Sequence, residues 1–494
     1  MALDPRLPVI VGVGEITHRD GDAVDTEPCR MMADAVRAAA QDAGAPGLLE
    51  RVGAIAAVPT ISWLDGDPAA RAAELLGLEG VATMRSSKAG GNGPGLLLAT
   101  LAERIQDGQL DGAILCGAEA VHTLGAILKR GEQLPWPPFD PDRRTAEVLE
   151  PEAPPSTEAE LAVGITLPLV AYPLLENALR HAAGRSPAEQ LELISRVWAR
   201  FSEVAAEQPA AWSPQAYTAQ ELATPSKANR LVTLPYTKLL NANLQVDQGG
   251  ALLLCSVGTA QGLGIASDRW VFLNACANAI DEWFMSERRV LDRSPAIRAC
   301  GEAVLGHAGV SAEEIGPIDL YSCFPAAVQL AARELGLPFD DHDRPLTCTG
   351  GLTFFGGPGN NYFTHGVAAV VRRLREAPPG TLGLSTGLGW YATKHALGLY
   401  GNSPPARPYA ALTPEPETPS ARTVADADGE ATVETATVVY DREGAPTYGV
   451  VFALRDDGRR ALGRTEAAEV MAAIERDDFL GSRVRVAADR SFSA

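Results

Sequence analysis

Two stretches of this chain, far apart in sequence, are written to the same plan, and that repetition restricts the possible folds more than any other feature. Gly91-Asn92-Gly93-Pro94 opens an apolar helical run, Leu96 to Gln106, which stops at Asp107-Gly108 and leads into a strand, Ala113 to Cys116, ending at Gly117. Gly359-Asn360-Asn361 opens a second helical run, rich in valine and arginine, that leads to a strand ending at Gly387. The spacings nearly match, 26 residues from Gly91 to Gly117 and 28 from Gly359 to Gly387. A pair of glycine-started helices at matching places predicts a duplicated α/β half-domain.

The remaining pattern fits two such halves. Leu7 to Gly14 is a short apolar run ending in glycines, as in a buried parallel strand. An alanine-rich helix over Met31 to Asp42 follows, then an apolar run from Val52 to Val58. Residues 134–156 hold seven prolines and read as an extended excursion. Tyr172 to Trp212 reads as helices, with Ser186-Pro187 as a cap and first-turn proline. Strand-like runs return at 250–257 and 270–274, and the second α/β block continues to about residue 402. Six prolines among the 17 residues from Ser403 to Pro419 mark a linker. Beyond it, alternating runs (Ala431 to Tyr440, Thr447 to Leu454) separated by Asp-Arg-Glu-Gly and Asp-Asp-Gly turns predict hairpins, with one helix near Ala467 to Arg476. The expected domains are 1–125, completed by 236–260; a helical insertion at 126–235; 261–402; the linker 403–419; and a small β-rich, barrel-like domain at 420–494.

Composition removes several functions. In 494 residues, 62 acidic against 42 basic side chains give a formal charge of −20, which opposes nucleic acid and anionic membrane surfaces. The longest uncharged apolar stretch, Leu161 to Leu175, has 15 residues and two prolines, too short to span a bilayer. Asp4 stands where a signal peptide requires positive charge. Seven dispersed cysteines argue against a disulfide framework and fit a reducing cytoplasm.

Most familiar motifs fail on inspection. Gly383-Leu-Ser385-Thr-Gly387 has the nucleophile-elbow spacing, but the sole histidine downstream, His395, is only ten residues on. Gly12-Val-Gly14 carries Thr17 where a dinucleotide fingerprint needs its third glycine. No Gly-Lys pair exists for a phosphate loop, and the histidines have no metal-ligand spacing, so neither a P-loop nor a metal site is expected. A polar constellation survives in the second block: Tyr321-Ser322-Cys323-Phe324 after an apolar run, the glycine loop Gly356-Gly357-Pro358-Gly359, then Asn360, Asn361 and His365. A thiol, a phenol, an imidazole and helix-start amides are the groups that acyl-thioester chemistry uses.

These segments together resemble the thiolase superfamily, especially sterol-carrier-type thiolases and their type 1 thiolase-like relatives with an additional C-terminal domain. The resemblance covers about residues 5–402 and rests on VIVGVGE, GGNGPGLLLATLAERIQDGQLDGAILCGAEA, NANLQVDQGGALLLCS, YSCF, GGLTFFGGPGNN and LSTGLGWYATKHALG. It implies two βαβαβ halves in a five-layer core, a helical loop domain at the insertion, and a cleft for a coenzyme A thioester where the central helices start. It also implies membership of the acyltransferases of lipid metabolism. The family's catalytic cysteine, Gly-His-Pro histidine and final Cys-x-Gly cysteine fall at Gly91, Gly357 and Ser385, so all three side chains are replaced.

The expected role is therefore an acyl-CoA-binding, thiolase-like protein without ordinary thiolysis, since glycine cannot carry an acyl group. Tyr321, Cys323, Asn360, His365 and Ser385 are the candidate catalytic residues. Gly91, Asn92, Ser322, Gly356, Gly357 and Gly387 are the candidate substrate-binding positions. Acyl-CoA is expected as ligand, with no other cofactor, no metal, no nucleic acid and no membrane span. A retro-aldolase cleaving a β-hydroxyacyl-CoA with Tyr321 as base, an acyltransferase using Cys323 or Ser385 as a relocated nucleophile, and a non-catalytic coenzyme A-binding or interaction protein are the alternatives. A homodimer and a monomer are both compatible with the sequence, and the added domain could receive a protein partner.

Overall fold

A computed structural model describes residues 3–20, 23–63, 66–138, 147–417, 419–426, 428–476 and 479–493. Part of the proline-rich excursion, 139–146, lies outside that set. The duplication is visible in the strand order. In the first half the strands Ala82–Arg85, Val52–Ala57, Gly112–Ala120, Asp247–Ser256 and Pro8–Thr17 lie side by side in that order. In the second, Ile315–Asp319, Leu382–Gly389, Lys394–Gly401 and Val271–Ile280 lie side by side in the matching order, without a counterpart of Ala82–Arg85 among the described residues. Counted from Val52–Ala57 and from Ile315–Asp319, the directions agree as well: the first contact is parallel and the next two antiparallel in each half. The halves touch edge to edge where Val9 and Ile10 pair with Phe272 and Val271.

Between the sheets run the two helices that the repeat predicts, Gly93–Gln106 and Tyr362–Glu376. Their apolar residues, among them Leu97, Leu101, Val367 and Val370, share one buried cluster with Leu252 and Leu254 of the first sheet and Val271 of the second. Both helices are thus walled in by sheet on either side, as a five-layer core requires. The outer layers are the helix Pro28–Ala43 on one side and Pro295–Ala308 with Pro325–Glu334 on the other. Gly12 and Gly14 make the first of these possible. A side chain at either would stand 2.2 or 2.0 Å from the Ala39 or Ala35 carbonyl oxygen, so those glycines permit close helix–strand packing rather than nucleotide binding.

The insertion forms the helices Pro168–Ala182 and Pro187–Ala206, the second opened by a reciprocal Ser186–Glu189 capping box. The tail is a curled antiparallel sheet, Gly429–Tyr440, Pro446–Leu454, Arg460–Thr465, Arg483–Val486 and Phe492–Ser493, with the helix Ala468–Ile474. It does not stand apart. Thr233 of the insertion pairs with Val439, and Asn177 donates to the Ala436 carbonyl at 2.9 Å. Arg460, fully buried, donates to the Ser286 and Arg288 carbonyls and pairs with Glu434. The proline-rich linker is likewise held: Ala410–Leu412 adds a parallel strand beside Val271–Ile280, and the Tyr409 hydroxyl donates to the Ala99 carbonyl at 3.1 Å. Proline count identified an irregular segment there, but not the exposed sheet surface that would capture it. Among the described residues no helix is long and apolar enough to cross a membrane.

Candidate functional site

The starts of the two central helices meet. Asn360, just before the second, accepts from the Gly90 amide at 2.8 Å and donates to the Pro59 and Lys88 carbonyls at 3.0 and 2.9 Å. Asn361 donates to the Gly117 carbonyl at 2.8 Å. A side chain on Gly387 would stand 2.8 Å from the Gly91 carbonyl oxygen and 3.2 Å from the Asn92 Cα. Gly91, Asn92, Asn360 and Gly387 therefore converge. All are buried, and the amide of Asn360 is committed to backbone groups rather than to a ligand.

Tyr321 closes this centre. Its backbone amide donates to Thr386 Oγ1 at 2.8 Å, and its ring meets Tyr362 edge-on at 5.4 Å. So anchored, the phenol lies directly over Gly91: a Cβ there would be 2.3 Å from the hydroxyl oxygen and 2.6 Å from two ring carbons. The space in which a side chain at residue 91 would begin belongs to the tyrosine. Burial, with Cys323 nearby, raises the phenol's pKa, so at neutral pH it is a proton donor and not a base. The void alongside, lined by Tyr321, Thr386, Gly387, His395 and Cys300 among others, measures about 10 Å³, roughly room for one water.

The other candidates scatter around this point. Cys323 lies beside the Tyr172 hydroxyl, and burial pushes its thiol up to about 12, so it is no thiolate. Ser322 Oγ accepts from the Leu352 amide at 3.3 Å. Ser385 faces inward and shares a 2.9 Å hydrogen bond with Tyr400. His365 turns to the strand Pro8–Thr17, where Nδ1 meets Glu15 at 2.6 Å and Arg372 pairs with the same carboxylate. Its Nε2 is buried without a partner against Gly250. It belongs to a charge cluster with Glu15 and Arg372. Arg372 and His365 hold the Glu15 carboxyl at about 2 despite burial. The Gly357 amide donates to the Asn243 carbonyl at 2.9 Å, and Gly356, at φ 117°, leaves room for the Gln248 side chain.

Two charged groups escaped the sequence reading. Lys394 is 1% exposed, and its ammonium donates to Ser87 Oγ at 3.0 Å, the Ala89 carbonyl at 2.9 Å and Glu150 at 2.8 Å. It lies against Gly90 and Gly389, where any side chain would come within 2.9 Å of it. A lysine opening an otherwise apolar run, KHALGLYG, was the available signal. Glu119, buried at the end of Gly112–Ala120, accepts from the Ile61 and Ser62 amides and the Ser62 hydroxyl. Burial nevertheless pushes it up to about 7. It packs over Gly359. Among the described residues no group of His, Cys, Asp and Glu gathers as a metal site would.

The paired halves, their strand order and the meeting helix starts define a thiolase-like fold. A family model described as the thiolase-like protein type 1 additional C-terminal domain matches residues 414–491. The crystal structure of a monomeric SCP2-thiolase-like protein type 1 from Mycobacterium smegmatis is similar at 29% identity, over 99% of both chains, with a TM-score of 0.82. A chain of the Ltp2-ChsH2(DUF35) aldolase shares the fold at 18% identity, over 81% of this chain and 98% of that one, with a TM-score of 0.58. No curated protein matches. The chain thus has the thiolase-like fold, is similar along its whole length to a thiolase-like protein of type 1, and matches the additional C-terminal domain of such proteins over 414–491.

Proposed function

We propose that this protein acts by binding, without thiolysis or acyl transfer at the centre where its helices meet. The observation that carries this reading is the Tyr321 ring over Gly91, which removes both the nucleophile and the space for one. A coenzyme A thioester remains the ligand class proposed for the fold. Reaching this centre would require Tyr321 to swing aside, because a water-sized void cannot take a thioester. The retro-aldol alternative needs a phenolate at Tyr321, and burial works against one. Cys323 and Ser385 make poor relocated nucleophiles, the first held as a thiol and the second bonded to Tyr400. A monomer is the proposed state: Glu147 and Val148 already pair with Met84 and Arg85 at the end of the first sheet, which blunts the edge for a second copy.

The test is an assay with acetoacetyl-CoA and coenzyme A, followed by calorimetry with coenzyme A and acetyl-CoA. The reading expects no thiolysis in the first. Turnover with thiolase-like saturation would overturn it. Binding of either compound in the second supports the thioester class, and its absence at millimolar concentration removes that class.

A further inference from the structure

The segment 147–156 crosses the protein surface as a strap. Glu147 and Val148 pair with Met84 and Arg85, and the Leu149 amide donates to the Arg85 carbonyl at 3.0 Å. Glu152 accepts from the Lys88 amide at 2.8 Å, and the Pro154 carbonyl accepts from the Trp283 indole at 2.8 Å. Between these ties, Glu150 reaches inward to the start of the first central helix. One carboxylate oxygen takes Lys394 Nζ at 2.8 Å and Ser87 Oγ at 2.6 Å, while the other faces Asn92 Nδ2 at 3.4 Å.

This arrangement has the features of an occupied binding site. Ser87 and Asn92 come from the segment that joins Ala82–Arg85 to the first central helix, Lys394 comes from a strand of the second half, and the carboxylate is supplied by the strap. Lys394, Ser87 and Asn92 are all buried. Two glycines, Gly90 and Gly389, leave the space that the lysine fills. The remaining partners of Lys394 are neutral oxygens, so without Glu150 an ammonium would sit buried with no counter-charge, which is costly. Asn92 Oδ1 is buried with no hydrogen-bond partner, so the pocket also has an unused acceptor. The strap itself, past Val148, has no regular structure until residue 158 and holds its position through side-chain and single backbone ties.

We propose that Lys394, Ser87 and Asn92 form a carboxylate-binding pocket that the chain fills with its own Glu150, and that an external carboxylate ligand takes the pocket when the strap withdraws. The inference adds a carboxylate to the ligands proposed above, at a pocket of its own, and rests on the binding role only for its purpose. The bound Glu150 is an internal competitor at high effective concentration, which weakens any free carboxylate. Asn92 precedes the first helical residue, so the ligand's negative charge would also gain from the helix dipole.

The test is titration of wild type, Glu150→Ala and Glu150→Ala/Lys394→Met with sodium malonate, with malonamide as the neutral control, alongside hydrogen exchange of residues 147–156. Removal of the internal competitor should tighten malonate binding at least tenfold over wild type, and loss of the lysine should abolish the gain. Malonamide should not bind. In the wild type, saturating malonate should speed exchange in the strap. Because Lys394→Met can fail to fold, Glu150→Ala/Ser87→Ala is the second variant, expected to weaken malonate several-fold relative to Glu150→Ala. Equal binding by wild type and Glu150→Ala, binding indifferent to both Lys394 and Ser87, or equal binding of malonamide would overturn the proposal. Each outcome is independent of whether coenzyme A binds.

Discussion

Adding a single methyl group at residue 91 measures how completely Tyr321 has taken over the centre. In Gly91→Ala the new Cβ would meet the phenol oxygen at 2.3 Å and ring carbons at 2.6 Å, against an ordinary contact of 3.4 Å or more. The ring cannot retreat freely, because Thr386 holds its backbone and Tyr362 packs against it in a T-shaped contact. Overpacking of this kind costs about 1–3 kcal/mol. Tyr321→Ala should cost about 3–5 kcal/mol through the cavity it leaves. The double variant then places the methyl group in space the ring has vacated, so its loss should fall short of the sum by at least about 1 kcal/mol. Tyr321→Phe should give little relief, since the 2.6 Å ring contacts persist. The assay is a double-mutant cycle in urea, read on the first unfolding transition of this multi-domain chain. Additivity within about 0.5 kcal/mol would refute the claim that the ring and residue 91 compete for one space.

Further outcomes follow from the charged groups. Glu15 is held near 2 in the folded protein, below its ordinary 4.5, so its contribution is complete above pH 4.5 and lost as pH falls through about 2. That amounts to about 3 kcal/mol. Glu15→Gln should flatten the acid limb of the stability curve, and an unchanged limb would refute the cluster's role. Glu119 has the opposite sign: raised to about 7, it stays protonated when folded, so stability should decline from pH 4.5 to 7 in wild type and less in Glu119→Gln. Identical slopes in urea melts would contradict this. Arg460→Ala leaves the carbonyls of Ser286 and Arg288 without their buried donor and should cost about 2–4 kcal/mol. Limited proteolysis should then cut first within 413–424, and an unchanged digestion pattern would count against the tail's docking through this residue.

Local rules made the architecture legible. The two glycine-started helices, the turn chemistry of the tail hairpins and the Ser186-Pro187 cap are read from neighbours within a few residues. The vacancy at Gly91 was also visible, as a missing side chain. What filled it was less so. Tyr321 stands 230 positions away, and although its phenol stands out in the sequence, spacing alone does not reveal that it points at residue 91. His365 shows the same limit: its place near a glycine loop makes it a candidate, and spacing does not reveal that Glu15, 350 residues earlier, bonds it in the interior. Lys394 and Glu150 escaped for the same reason, since a buried ion pair between residues 244 apart leaves no periodic trace in the chain.

The central claim is that a tyrosine stands where acyl transfer would need a nucleophile. Intact-protein mass spectrometry after incubation with acetyl-CoA tests it most directly, with peptide mapping of any product. The protein should keep its unmodified mass. An acyl adduct mapped to Ser385, Cys323 or Tyr321 would contradict the account.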